Sequence, residues 1–334
     1  MRAASAQAPN AVVLIRPHHF RPNPQTAADN TFQRIADHDV SRAAYDACTQ
    51  LAEILRAEGV RVHLFEDETE TRPDSVFPNN WFSTHAGGRI AVYPMYAVNR
   101  RGERRQDVIE MLKSAYRVQE VIDYSGLEAD ELFLEGTGAM VLDHVSRIAY
   151  AARSLRCEPV LVERFCTVFG YEPVVFDAVD TDGVPIYHTN VMMCIGTDFA
   201  LVGLDAIVPD ARRIEIAQRI RDSGRVVIPL TAAQVAAFAG NAIELRSGDG
   251  ERLLVISETG YRSLDDEQRR MLAASCRVLP VDVSPIELAG GSVRCMIAGI
   301  HLDAREPAPA THSDPAVMSD SRQPSVAERA RVEA

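Results

Sequence analysis

Short apolar runs separated by turn residues dominate the chain. Runs of strand length and strand composition fall at 11–15, 60–65, 89–93, 140–142, 148–152, 173–176, 191–195, 200–204, 226–228, 253–256, 278–281 and 293–300. Helical periodicity lies between some of them. Residues 39–58 carry Val40, Ala43, Ala44, Ala47, Leu51, Ile54 and Leu55 along one face and stop at Gly59, a residue suited to a helix C-terminus. Further helices are predicted over 107–116, 158–169, 210–223, 231–238 and 263–275, with Thr231 and Ser263 as N-caps.

A repeat runs through this pattern. Turns of small residues leading into an apolar strand recur at Pro78-Asn79-Asn80-Trp81, Glu135-Gly136-Thr137-Gly138, His188-Thr189-Asn190-Val191, Gly240-Asn241-Ala242-Ile243 and Gly290-Gly291-Ser292-Val293. From Asn79 through Gly136, Thr189 and Gly240 to Gly290, the intervals are 57, 53, 51 and 50 residues. Five units of near-constant length, each with strands and usually a helix, predict an α/β fold with radial repetition in one domain over 11–303. A two-domain α/β protein whose turns fall at this spacing by chance is the competing reading. In a ring of equivalent units the equivalent turns face the axis at one end. Asn79 and Asn80, Glu135, His188 and Asn190, Asn241 and Cys295 should then converge although they are remote in sequence. Residues 304–334 are rich in Ala, Pro, Ser, Arg and Glu and poor in large apolar groups, so a mobile tail is expected there.

Composition narrows the function. Apolar residues make up 46% and charged residues 25% of the 334, enough for a sizeable core. Asp plus Glu number 47 against 35 Lys plus Arg, a net charge of −12 that repels phosphate backbones, so nucleic acid is not an expected partner. The chain has no run of eighteen apolar residues, and residues 1–10 lack a charged-then-apolar signal pattern, so neither a membrane span nor secretion is expected. The cysteines (Cys48, Cys157, Cys166, Cys194, Cys276 and Cys295) are scattered, with no C-x-x-C pair and no His-rich cluster at metal-ligand spacing. A reducing cytoplasm fits, and it leaves each thiol as either core filler or nucleophile.

Of the six, Cys295 stands out. It ends Gly290-Gly291-Ser292-Val293-Arg294-Cys295-Met296, where paired glycines allow the close backbone approach that active-site loops need. The bland reading is a buried structural thiol, which suits Cys194 in Met192-Met193-Cys194-Ile195. His188 precedes Thr189-Asn190, and an isolated histidine is usually a surface or satisfied core residue. Glu135 emerges from Leu132-Phe133-Leu134 into a glycine turn, either as a turn hydrogen-bonder or as a site residue.

Together these turns resemble the guanidino-group-modifying superfamily of arginine deiminases, dimethylarginine hydrolases, amidinotransferases and their relatives. Gly290-Gly291-Ser292-Val293-Arg294-Cys295-Met296 is similar to its nucleophile motif, His188-Thr189-Asn190 to its histidine motif and Glu135-Gly136-Thr137-Gly138 to its glutamate motif. Phe77-Pro78-Asn79-Asn80 is similar to its first substrate-binding turn, and the motifs keep the family's order over most of 11–303. The resemblance implies a five-bladed α/β propeller (pentein) and no metal or organic cofactor. It also implies a covalent mechanism. Cys295 attacks the central carbon of a guanidinium or ureido group. His188 protonates the departing amine and then takes a proton from water, and Glu135 orients the imidazole or the substrate nitrogens. Asn79, Asn80, Asn190 and Gly291 would line the substrate. Arg156 stands where relatives place an arginine for the substrate α-carboxylate, with Arg153 as the competing candidate.

Arginine deiminases carry aspartates where this chain has Asn80 and Asn190. Two carboxylates favour a cationic guanidinium, whereas an amide supplies a donor for a neutral ureido carbonyl. Citrulline, hydrolysed to ornithine, ammonia and carbon dioxide, is therefore the expected substrate, and the wording of the turns is closest to the citrulline-utilisation branch. Arginine deimination or dihydrolysis and amidinotransfer remain alternatives. So does a non-catalytic role, because a ribosome anti-association factor shares the fold. A homo-oligomer is also open.

Overall fold

The computed structural model describes residues 7–34 and 39–305. Within them the apolar runs assemble into five small sheets that share one strand plan. β1 (Ala11–Pro17) leads through the helix Ser41–Ala57 to β2 (Arg61–Asp67), which lies parallel to it. β3 (Phe82–His85) and β4 (Arg89–Val92) form an antiparallel pair, and the helix Gln106–Ala115 then returns the chain to β5 (Glu120–Asp123), parallel to β4. The plan repeats with β6 (Met140–Asp143), β7 (Ile148–Ala152), the helix Pro159–Phe169 and β8 (Glu172–Ala178). It repeats again with β9 (Met193–Ile195) and β10 (Phe199–Val202). There the short β11 (Ile207–Val208) pairs back onto β8 before the helix Asp210–Asp222 reaches β12 (Val226–Pro229). The next unit holds β13 (Ile243–Arg246), β14 (Arg252–Ser257), the helix Asp266–Ala273 and β15 (Arg277–Val281). β16 (Ala298–Gly299) pairs antiparallel with β1, so the first sheet draws its strands from both ends of the chain.

The physical logic is the same in each unit. A parallel pair needs a crossover, and a helix with one apolar face supplies it while covering the sheet. The helix Ser41–Ala57 buries Ala44, Ala47, Cys48, Leu51, Ala52 and Leu55, and Pro159–Phe169 buries Leu161, Val162, Phe165, Cys166 and Phe169. The middle strands are covered on both faces, so Val12, Val13 and Leu14 of β1 and Phe199 to Val202 of β10 are inaccessible. Except for β8, which β11 covers, the third strands lie at sheet edges, and β2 and β5 are only half buried.

The result is a mixed α/β fold, and the described residues up to Ala304 form one compact unit. Two local expectations are corrected. The run 293–300 is not one strand: Val293–Met296 is a single helical turn and only Ala298–Gly299 pairs. The helix placed over 263–275 starts at Asp266, and its N-cap is Asp265, not Ser263, which closes the preceding helix Glu258–Ser263. Asp265 accepts from the backbone N–H of Gln268 (2.8 Å) while the Gln268 side chain accepts from that of Asp265 (2.9 Å), a reciprocal pair that Ser263 has no partner to make. Thr231 caps its helix through the same device with Gln234. Of the segment expected to be a tail, Ala304 bridges to Tyr116, and residues 306–334 lie outside the described residues. Among the described residues, no helix is long and apolar enough to cross a membrane.

Candidate active site

Each of the five repeated turns sits immediately before the first strand of a unit. Pro78–Asn80 precedes β3, Gly136–Ala139 precedes β6, Thr189–Val191 precedes β9, Asn241 precedes β13 and Val293–Met296 precedes β16. The turns touch one another in succession. Thr137 Oγ1 donates to the carbonyl of Asn79 (3.2 Å), Thr189 Oγ1 to that of Ala139 (2.5 Å) and Asn241 Nδ2 to that of Asn190 (3.0 Å). The backbone N–H of Arg294 donates to Asn241 Oδ1 (3.0 Å), and a Cβ on Gly291 would lie 2.9 Å from the Phe77 ring. The last contact brings the fifth turn back to the first.

Cys295 and His188 each expose 2% of their surface and Glu135 none. His188 Nε2 lies 2.8 Å from Glu135 Oε2. Gly138 makes room for this imidazole, because a Cβ there would fall 2.8 Å from His188 Nδ1 and closer still to Asn80 Nδ2. Cys295 Sγ accepts from Asn241 Nδ2 (3.2 Å) and Asn190 Nδ2 (3.3 Å), with Asn190 Oδ1 3.7 Å away. Both Cys295 and His188 line one small cavity with Thr26, Asn80, Asp74, Arg100, Arg156 and Gly291. Its volume is about 10 Å³, room for one water. Larger cavities of about 670 and 370 Å³ are lined by none of Cys295, His188 and Glu135.

The electrostatics of this cavity rest on buried ion pairs. Arg156 forks onto Asp29 (Nε–Oδ2 2.7 Å, Nη2–Oδ1 2.6 Å), stands 3.6 Å from Glu135 and lies over the Tyr187 ring. Arg100 forks onto Glu103 (2.9 Å twice), reaches Asn80 Oδ1 (3.1 Å) and stands 3.4 Å from Glu135 and 3.5 Å from Asp74. Four carboxylates therefore surround two guanidiniums. Burial alone would raise Glu135, but Arg156, the bond to His188 and Arg100 outweigh it and hold this carboxyl well below its usual range. Burial lowers His188 against the pull of Glu135, which favours the neutral imidazole. Burial raises Asp74, and it raises Glu103 to about 7, against Arg100 in each case.

Among the expected site residues, Asn80, Arg156 and Gly291 line the cavity with Cys295 and His188. Asn190 meets the cysteine sulfur directly, and Asn79 accepts from Asn80 Nδ2 (3.2 Å). Arg153 is exposed and bound to Asp177 (2.6 Å), so only Arg156 of the two candidate arginines faces the cavity. Asp29, Asp74, Arg100 and Glu103 were not among the expected site residues. Arg100 and Glu103 sit in Asn99-Arg100-Arg101-Gly102-Glu103-Arg104, a charge run that looks like a solvated surface. Asp74 carried a usable signal, since it stands three residues before Phe77 and the first turn. Among the described residues, no group of three or more His, Cys, Asp or Glu is placed to hold a metal.

The family model described as N,N dimethylarginine dimethylhydrolase, eukaryotic, matches residues 16–302. The chain belongs to this family. That membership places it in the guanidino-modifying superfamily its turns resemble and agrees with the expectation of a hydrolase acting on a guanidino-type C–N bond. No curated protein sequence matches it. Its fold is that of solved pentein structures. One is ArgZ, described as an arginine dihydrolase from the ornithine–ammonia cycle in Cyanobacteria (TM-score 0.69, 18% identity, 87% of this chain and 40% of that one). The chain thus spans about two fifths of full-length ArgZ, and its match to the ArgZ N-terminal domain bound to substrate covers 98% of that domain (TM-score 0.69, 18% identity, 88% of this chain). Another is the dimethylarginine dimethylhydrolase of Pseudomonas aeruginosa, a mutant complexed with citrulline (TM-score 0.61, 14% identity, 88% of this chain and 100% of that one).

Proposed function

We propose that the chain is a cysteine-dependent hydrolase of a ureido or guanidino amino acid, with citrulline as substrate. The observation that carries this reading is the convergence of the Cys295 sulfur and the Glu135-bound imidazole of His188 on one cavity. Because Glu135 is ionised, His188 Nε2 keeps its proton and donates it, which leaves the lone pair on Nδ1 for acid–base work. Cys295 passes its thiol proton to His188 Nδ1 and attacks the ureido carbon as the thiolate, and the departing amine takes that proton from Nδ1 as its C–N bond breaks. The carbon is left on sulfur as a thioester-like intermediate. Water then adds to that carbon and gives its proton to His188, the C–S bond breaks, and the carbamic acid set free loses carbon dioxide as its remaining C–N bond breaks and its nitrogen takes up the proton. Citrulline and one water thus yield ornithine, ammonia and carbon dioxide.

The amide of Asn80 supports a neutral ureido substrate, since it offers a donor where a carboxylate would repel the carbonyl. A second reading, arginine, is favoured by the four carboxylates that outnumber the two guanidiniums. In either case Arg156 would receive the α-carboxylate in place of Asp29, and the cavity of about 10 Å³ would have to widen first. The same reading treats the five sheets as blades of a five-bladed propeller in one domain over 11–303. The round of turn contacts and the β16–β1 pair support that closure. Citrulline at saturation should slow iodoacetamide labelling of Cys295 about tenfold or more, read by peptide mass. Labelling at an unchanged rate would contradict the assignment of Cys295 to the substrate site.

A further inference from the structure

Asn241 joins two links in the ring of contacts, to Asn190 and to Arg294, and the mechanism above has no use for it. It is fully inaccessible, yet all four hydrogen-bonding positions of its amide are taken. Oδ1 accepts from the backbone N–H groups of Arg294 (3.0 Å) and Cys295 (3.4 Å). Nδ2 donates to the carbonyl of Asn190 (3.0 Å) and to Cys295 Sγ (3.2 Å). One side chain thus holds the main chain at the head of the cysteine turn, the sulfur itself and the turn that carries His188. We propose that Asn241 is a positioning residue for the nucleophile, fixing the backbone of the Cys295 turn and, through its N–H, stabilising the ionised sulfur.

The residue type matters on both counts. A helical turn leaves its first backbone N–H groups without intrahelical partners, and in Val293–Met296 the Asn241 oxygen takes that of Arg294 and shares that of Cys295 with the carbonyl of Ser292 (2.9 Å). A buried sulfur anion needs donors, and the amides of Asn241 and Asn190 are the two within reach. Aspartate would keep the oxygen's bonds but would replace the donor with a second negative charge beside the sulfur. The other ionisable groups around Cys295 stay as they are in such a variant: Arg294 next to it, Tyr187, and His188, Arg100, Arg156 and Asp74 across the cavity.

The inference rests on Cys295 being the nucleophile, but its test needs no substrate. Iodoacetamide labelling of Cys295 is followed by peptide mass across pH in the wild type, Asn241→Asp and Asn241→Ala, with thermal melts to establish folding. The expected result for Asn241→Asp is a half-maximal labelling pH about one unit or more higher, because a like charge disfavours the anion. A smaller rise in the same direction is expected for Asn241→Ala, where the donor is lost without added charge. If the wild type turns over citrulline or arginine, kcat should fall about 100-fold in Asn241→Asp with KM changed less than about threefold. A folded Asn241→Asp, or a folded Asn241→Ala should the first not fold, whose labelling profile overlays that of the wild type would overturn the proposal. A shifted profile in a chain that hydrolyses neither substrate would uphold it while removing the proposed function.

Discussion

Arg156 and Glu103 show how single side chains set the terms of substrate entry. Arg156 is the cation on the cavity wall that the proposed α-carboxylate needs, and Asp29 already occupies its planar fork. Asp29→Ala should therefore lower KM for an amino-acid substrate severalfold with little change in kcat, as steady-state kinetics would register. An unchanged KM would mean that the carboxylate binds elsewhere. Glu103 sets a pH dependence of stability. Burial raises it to about 7 in the folded chain from an ordinary value of 4.5, so the folded state binds its proton more tightly than the unfolded state does. Its stabilising contribution is complete below about 4.5 and disappears as pH rises through about 7, an effect on the order of 3 kcal/mol at most. Urea midpoints should accordingly fall from pH 5 to pH 8, and the decline should flatten in Glu103→Gln. At this scale the sequence was legible where chemistry sits in a turn, as at Glu135, His188 and Cys295. It was illegible where function depends on burying a charge, because Arg100 and Glu103 look like surface until the fold is known.

Helix ends follow from local side-chain chemistry more than from periodicity. Two capping boxes lie side by side: Gln234 Nε2 donates to Gln268 Oε1 (2.7 Å), and Gln268 Nε2 donates to Gln234 Oε1 (3.1 Å). Replacing Asp265 with Ala should cost about 1 kcal/mol and lower the melting temperature by roughly 2 °C. Ser263→Ala should leave this cap intact. The middle strands were readable because burial on both faces makes them continuous apolar runs. β3, with Phe82-Ser83-Thr84-His85, and β5, with Glu120-Val121-Ile122-Asp123, were not, since short strands flanked by polar residues look like loops. Val293–Met296 has strand composition but forms a helical turn, in which Asn241 takes the N–H of Arg294 and the Ser292 carbonyl that of Cys295.

For the whole molecule, the repeat interval is the sequence feature with the longest reach. Near-equal spacing predicted that five remote turns would meet, and the contacts from Asn79 to Thr137, Ala139 to Thr189, Asn190 to Asn241, Asn241 to Arg294 and Gly291 to Phe77 carry that meeting through. The pairing of β16 with β1 joins the two ends of the chain next to the cysteine turn, so the placement of Cys295 depends on sheets far from it in sequence. What spacing cannot give is the charge inside the cavity, where amides on the turns favour a neutral substrate and excess carboxylates favour a cation. The most direct test is to incubate the full chain separately with citrulline and with arginine, measuring ornithine, citrulline and ammonia, with Cys295→Ala as the control. The predicted result is ornithine and one equivalent of ammonia from citrulline, both lost in the folded Cys295→Ala variant. Products that persist without the thiol, or no product from either amino acid, would contradict the account.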